Sequence, residues 1–169
     1  MAKEIIYLIF CGTSAYPIIN SLWASMNIKK IKPKEIILLF SENQSGFDDI
    51  QKKVKILIEE TIDNGCSIKK LVISEWDIKK NIDTLLEFLN ENLQMDKELV
   101  LDITPGRKTM SISGVLFVNK AINKQIIPKE KFRHIIYWHL IESDKYPSKW
   151  YPEIPREYFN FVDLMEVIK

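Results

Sequence analysis

Apolar runs rich in β-branched residues recur along the chain at intervals of roughly thirty residues, the length of a strand–helix–strand unit. These runs are Ile5–Phe10, Glu35–Phe40, Lys70–Ser74, Leu99–Ile103 and His134–Ile141. Segments with apolar residues at helical spacing lie between successive runs, at Ser14–Ile28, Asp48–Asn64, Ile78–Leu93 and about Thr109–Asn123. Strands that are apolar on both faces and alternate with helices predict a parallel sheet covered on both sides.

Capping residues support these helix boundaries. Thr13 and Ser14 are candidate N-caps of the first helix, and Pro17 falls in its first turn, where the missing N–H is tolerated. Asp77 is the predicted N-cap of the third helix, and Gly65 is the predicted end of the second.

The pattern changes after Ile141 to a segment rich in proline and aromatic residues. This segment predicts an extended excursion whose final apolar alternation, Tyr158–Ile168, returns as an edge or antiparallel strand. The predicted fold is α/β, a Rossmann-like three-layer domain with a mainly parallel central sheet and a C-terminal antiparallel extension. No repeat or linker interrupts residues 1–169, which predicts a single domain.

Composition narrows the class of function. The chain has 24 Lys and Arg against 23 Asp and Glu, so it lacks the basic excess of a protein that binds duplex nucleic acid. The first apolar run is too short for a signal peptide, and no run approaches the length of a membrane span. Cys11, Cys66, His134 and His139 have neither zinc-site nor disulfide-framework spacing, so we predict reduced thiols, no metal, no cofactor and a cytoplasmic protein.

The carboxyl ends of the predicted parallel strands are where such folds bind their ligands. Here they are rich in hydroxyl, amide and small side chains, at Cys11–Tyr16, Ser41–Phe47, Ser74–Asp77 and Asp102–Lys108. In Leu99–Ser111 a buried strand leads through Thr104-Pro105-Gly106 into a helix, a junction that suits a phosphate. Arg107 and Lys108 oppose the helix dipole there, which indicates that an anion compensates them.

Two common phosphate motifs are excluded. A Walker A loop requires a glycine five residues before Gly106, where Leu101 stands. The dinucleotide fingerprint requires several glycines after the first strand, where Gly12 stands alone.

Other polar and aromatic residues at these ends have two interpretations each. Asp102 is a possible metal ligand or base, but we favour a role in capping the next turn. Tyr16 and Trp76 either stack on a base or pack against the protein. Asn43 and Gln44 either read an adenine edge or close a loop. The two histidines are interpreted as structural.

The pairing of Cys11-Gly12-Thr13-Ser14 with the stretch DITPGRKTMS at Asp102–Ser111 resembles the CARF (CRISPR-associated Rossmann fold) family. That family binds cyclic oligoadenylates in type III CRISPR antiviral signalling, and its signatures are G-T-S and D-x-T-G-G-T-K-x-M. Pro105 and Arg107 depart from the second signature. The first stiffens the turn, and the second adds a charge that either holds another phosphate or restricts ring size.

The resemblance implies a homodimer whose two clefts form one pocket for a cyclic oligoadenylate, with cyclic tetra-adenylate the favoured ring. The residues assigned to this ligand are Gly12, Thr13, Ser14, Tyr16, Asn43, Gln44, Trp76, Thr104, Pro105, Gly106, Arg107, Lys108, Thr109 and Met110.

Some members of the family are ring nucleases that cut the ligand without a metal, and they resemble this chain at Ser14 and Lys108. The resemblance therefore implies catalytic roles for these two residues. The alternative is a sensor domain that binds the ring and regulates an effector domain or partner. No effector segment is recognisable in the sequence, which favours the ring nuclease. A third hypothesis is a Rossmann-like protein with an unrelated nucleotide ligand.

Overall fold

The computed structural model describes residues 3–62, 65–93, 96–141, 145–146 and 149–167. Five strands alternate with four helices, and a further strand follows the proline-rich segment within these residues. In chain order the elements are β1 Glu4–Phe10, α1 Ala15–Asn27, β2 Glu35–Ser41, α2 Phe47–Thr61, β3 Ser67–Ile73, α3 Ile78–Asn92, β4 Lys97–Asp102, α4 Lys108–Asn123, β5 Phe132–Leu140 and β6 Phe159–Asp163.

The strands form one sheet in the order β3-β2-β1-β4-β5-β6. β1 to β5 are parallel, and β6 pairs antiparallel with β5. The order of the strands reverses between β1 and β4, which are hydrogen-bonded neighbours. The predicted fold, a three-layer Rossmann-like domain with an antiparallel extension, is therefore confirmed.

Burial on both faces explains why the strands are apolar throughout. In β1, Tyr7 and Ile9 pack with α1 and α2, whereas Ile6, Leu8 and Phe10 pack with α3 and α4. The two helix layers thus cover opposite faces, and all the β–α turns open at the carboxyl edge of the sheet.

The second helix and the third strand differ from the predicted boundaries. α2 ends at Thr61, before Gly65, because the backbone of Ile62 is already extended, with φ −127° and ψ 114°. β3 begins at Ser67, before the predicted Lys70, because it pairs with β2 from Glu35 onward. Its early residues are partly exposed at the sheet edge, so they lack a continuous apolar signal.

The C-terminal segment returns as the predicted antiparallel edge strand, but a shorter one. The alternation at Tyr158–Ile168 forms a strand only over Phe159–Asp163, because a 3₁₀ turn follows at Leu164–Glu166. Ile168 lies outside the described residues. Tyr151 stacks on Phe159 with ring centroids 4.5 Å apart, and this packing brings the proline-rich segment back onto the sheet.

β6 is fastened to β5 through Asp163. Its carboxylate contacts His134 Nδ1 at 2.6 Å and accepts from the N–H groups of Ile135 and Met165, each at 3.1 Å. Burial alone raises the pKa of Asp163, but these hydrogen bonds outweigh it and hold the pKa below its ordinary value. The structural interpretation of His134 is confirmed.

No helix in the described ranges has both the length and the apolar character needed to span a bilayer.

Candidate functional site

The two glycine turns that the sequence singles out touch each other at the carboxyl edge of the sheet. Gly12 follows β1, and Thr104-Pro105-Gly106 follows the adjacent β4. A Cβ atom at Gly12 would overlap the Pro105 carbonyl oxygen. A Cβ at Gly106 would lie 2.8 Å from Ser111 Oγ and 2.9 Å from Phe10 Cβ. Both glycines are therefore needed for the turns to pack this closely.

Asp102 holds the second turn in place from below. The fully buried carboxylate accepts from Thr104 N–H at 2.9 Å, from the Tyr7 hydroxyl at 2.7 Å, and from Ser21 Oγ. Burial raises the pKa of Asp102, although these hydrogen bonds partly offset that effect. The favoured interpretation of Asp102 as a turn cap is confirmed.

Thr104 is fixed from a second direction by β5. Its Oγ1 accepts from the Trp138 backbone N–H at 2.9 Å. The turn after β4 is thus tied to β4 through Asp102 and to β5 through Trp138. Its backbone is therefore ordered before any ligand binds.

Helix α4 begins directly after this turn without a side-chain cap. Arg107 is its N-cap residue, and its side chain makes no capping hydrogen bond to the N–H groups of the first turn. Lys108 is the first helical residue and is exposed. Over the described ranges its ammonium group makes no hydrogen bond or ion pair. Uncapped N–H groups beside an unpaired cation have the charge that suits an anion.

Arg107 already has an anion within the protein. Its Nη1 contacts Oε1 of Glu75, which lies between β3 and α3 and is 7% exposed. From the sequence we expected a bound anion to neutralise both Arg107 and Lys108. The structure corrects this for Arg107 and leaves Lys108 as the cation without a counter-ion.

Ser14 lies on the other side of the paired turns. It is the N-cap of α1, and its Oγ accepts from Tyr16 N–H at 3.4 Å. Thr13 and Ser14 are both exposed. Gln44 Nε2 donates to the Gly12 carbonyl at 2.5 Å, so the loop after β2 supports the first turn.

The other predicted ligand residues differ in position and exposure. Trp76 follows β3, which β2 separates from β1, and its side chain is 70% exposed. Asn43 is exposed. Met110 is 1% exposed and packs in the core, so its side chain is closed to a ligand. Pro105 is buried and Thr109 is half-buried, which leaves mainly their backbone atoms near the turn.

A cavity of about 440 Å³ opens beside Ser14 and Thr104. It extends from α1 to the end of β5 and the proline-rich segment, and Tyr16 lies on its wall. Several residues of this cavity were not predicted from the sequence, namely Asn20, Tyr137, Leu140, Tyr146, Lys149 and Tyr151. His139, interpreted as structural, is an exposed residue of this cavity. For Tyr137, His139 and Leu140, the position at the carboxyl end of β5 was the available signal.

The cysteines supply no nucleophile at neutral pH. Both thiols are free. Burial raises the pKa of Cys11 well above its ordinary value and that of Cys66 to about 11. In the described parts of the chain no cluster of three His, Cys, Asp or Glu side chains is placed to hold a metal ion.

Comparison with solved structures gives fold neighbours that bind cyclic nucleotides. Csm6 from Enterococcus italicus, bound to cyclic hexa-2′-fluoro-hexa-dAMP, superposes with a TM-score of 0.61 at 14% identity, over 99% of this chain and 45% of that one. Can2 from Sulfobacillus thermosulfidooxidans, in complex with cyclic tetra-adenylate, superposes with a TM-score of 0.52 at 16% identity, over 83% of this chain and 33% of that one. The chain shares their fold.

This likeness concerns architecture, because both identities are low. The chain spans less than half the length of either neighbour. No known protein-family profile matches the sequence, and no curated protein matches it.

Proposed function

We propose that this chain binds a cyclic oligoadenylate, preferably cyclic tetra-adenylate, at the paired turns after β1 and β4. The observation that carries the proposal is the contact between Gly12 and the Pro105 carbonyl. It brings the start of α1 and the start of α4 together where the strand order reverses, the position at which open α/β sheets bind ligands. The motif resemblance to the CARF family and the ring-bound fold neighbours support the same ligand class.

A phosphate of the ring binds the uncapped N–H groups of α4 and the ammonium group of Lys108. The hydroxyl groups of Ser14 and Thr13, which are both exposed, donate hydrogen bonds to phosphate or ribose. An adenine base enters the neighbouring cavity, where the ring of Tyr16, packed against Trp150 with centroids 4.6 Å apart, lies on the wall.

The bound ring is cleaved without a metal. The ribose 2′-oxygen attacks the adjacent phosphorus and loses its proton, while the bond from phosphorus to the 5′-oxygen breaks and that oxygen is protonated. The products are linear and carry 2′,3′-cyclic phosphate ends. Because the nucleophile belongs to the ligand, the protein needs to align it and to stabilise charge on the phosphorane. Lys108 stabilises that charge, and Ser14 orients the 2′-hydroxyl or the leaving oxygen.

The full ligand site is shared by two copies of the chain, since a ring with two-fold symmetry presents equal halves. Ile112 and Leu116 support this arrangement. They are 50% and 45% exposed, lie four residues apart on one face of α4, and belong to the helix that begins at Lys108.

The test is incubation of the purified protein with cyclic tetra- and hexa-adenylate in EDTA, with products separated by chromatography and binding followed by calorimetry. We expect tight binding and linear products with cyclic phosphate ends. Tight binding without products would replace the nuclease by a sensor domain. Absence of binding to either ring would contradict the proposed ligand.

A further inference from the structure

The loop between β3 and α3 presents a buried carboxylate to the edge of the proposed phosphate site. Glu75 is 7% exposed, and it forms an ion pair with the guanidinium of Arg107, the N-cap residue of α4. The Arg107 side chain is 48% exposed, so the pair has one face in the protein and one face toward solvent.

The structure around Glu75 holds this carboxylate in position. Asn81, fully buried, accepts from Ser74 N–H at 2.7 Å and donates to the Ser74 carbonyl at 2.8 Å. The same amide nitrogen lies 3.3 Å from Ser113 Oγ on α4. Ser74 Oγ accepts from Trp76 and Asp77 N–H at 3.3 and 3.1 Å. The residue before Glu75 is therefore clamped to α3 and, through Asn81, to α4.

Two energetic facts follow from this placement. A buried carboxylate that lost Arg107 would be left without its charged partner, which is costly, so Arg107 stays bound to Glu75. A cation at a helix N-terminus is unfavourable, and Glu75 offsets it. Both effects keep the guanidinium paired at the moment when a phosphate approaches.

We infer that Glu75 is a specificity-determining residue, which cancels the charge of Arg107 and limits this edge of the site to the positive charge of Lys108. This role rests on the proposed function and decides which anion the site binds. The wild-type site favours a ligand with one phosphate at this turn and disfavours a second phosphate beside it. Removing the carboxylate charge opens a second phosphate position on Arg107.

The experiment compares Glu75→Gln with wild type by titrating cyclic tetra-adenylate and, separately, inorganic pyrophosphate at several salt concentrations. Gln keeps an oxygen acceptor for Arg107 and removes the charge. We expect about tenfold tighter binding of both probes, with a steeper salt dependence because one more cation faces the ligand. The double variant Glu75→Gln/Arg107→Gln should return close to wild-type affinity.

Asp83→Asn is the matched control. It removes a carboxylate from a different ion pair, Asp83 on α3 with Lys120 on α4 at 3.0 Å, and should leave both affinities unchanged. Glu75→Met repeats the test without a polar atom should Glu75→Gln fold poorly, as judged by thermal melting. Unchanged or weaker pyrophosphate binding in the folded variant would overturn the inference. Loss of ring binding in every protein, with the pyrophosphate gain preserved, would instead contradict the proposed ligand.

Discussion

Gly12 is the residue on which the paired turns depend most directly. Its missing side chain is what allows the turn after β1 to rest on the Pro105 carbonyl. That carbonyl belongs to backbone, and the turn around it is fixed by Asp102 and by the Trp138 N–H. The neighbouring chain therefore has little freedom to move aside for a methyl group.

We expect Gly12→Ala to destabilise the protein by about 1–3 kcal/mol, the usual cost of forcing extra volume into a packed position. Urea unfolding measures the loss of stability, and calorimetry should show weaker ring binding because the turns separate. Gly46→Ala is the control, since Gly46 has a φ of +87° but a Cβ atom there would meet no atom within 4 Å. It should lower stability and leave ring affinity intact. Equal ring affinity in both variants would contradict the role given to Gly12.

The sequence identified the two turns but not how they meet. Gly12, Gly106 and Lys108 were recognisable because they follow apolar runs in a pattern with chemical meaning. The contact between turns depends on β1 lying beside β4, which is a property of the sheet. The Glu75–Arg107 pair joins residues 32 positions apart, and no local pattern predicts it.

Side-chain contacts of Asp163 add to the backbone ladder that joins the antiparallel extension to β5. Asp163 on β6 reaches His134 on β5, and its second oxygen caps the backbone at Ile135 and Met165. β6 is short and lies at the sheet edge, so we expect its local opening to respond to loss of this carboxylate.

We expect Asp163→Asn to destabilise the protein by about 1 kcal/mol at neutral pH, because the amide keeps one acceptor oxygen but loses the charge that faces His134. The pKa of Asp163 is lower in the folded protein than in the unfolded chain. Its contribution is therefore complete above about pH 4 and is lost as pH falls through the folded value.

Unfolding titrations of wild type and Asp163→Asn from pH 7 to pH 2 test this expectation. The difference in stability should shrink toward zero at the acidic end. A difference that is constant with pH, or that grows in acid, would show that the carboxylate charge does not hold β6. Hydrogen exchange should show faster opening of Phe159–Asp163 in the variant at neutral pH.

Elements with continuous apolar signals were predicted well, and edge elements were not. β1, β2 and β4 are buried on both faces, so their composition alone marks them. β3 is an edge strand with exposed lysines, and the first residues that pair with β2 have no apolar pattern. The cavity wall formed by β5 and the proline-rich segment also escaped prediction, because it arises from packing between distant segments.

At the scale of the molecule, the described residues leave apolar side chains on one face of α4 about half exposed. Ile112 and Leu116 are exposed next to the helix turn that carries Lys108, which places the proposed dimer contact beside the proposed ligand. A dimer built on this face would let both copies contact one ring.

We expect light scattering to show a dimer, and Ile112→Glu/Leu116→Glu to convert it to a monomer with at least tenfold weaker ring binding. Ile56→Glu is the control, because Ile56 is 47% exposed on α2, a helix of the opposite layer. A dimer that survives the double substitution would exclude this face as the contact. A monomeric wild type that binds the ring fully would contradict the shared site.

The central claim is that Lys108 binds and activates a ring phosphate at the start of α4. Lys124→Ala is the matched control, since Lys124 is exposed at the other end of the same helix, about 24 Å away by helix rise. In EDTA with labelled cyclic tetra-adenylate, we expect Lys108→Ala to bind about tenfold more weakly and to cleave at least about a hundredfold more slowly than wild type, because it loses the charge that stabilises the phosphorane. Lys124→Ala should match wild type. Binding and cleavage by Lys108→Ala at the wild-type level would contradict the account.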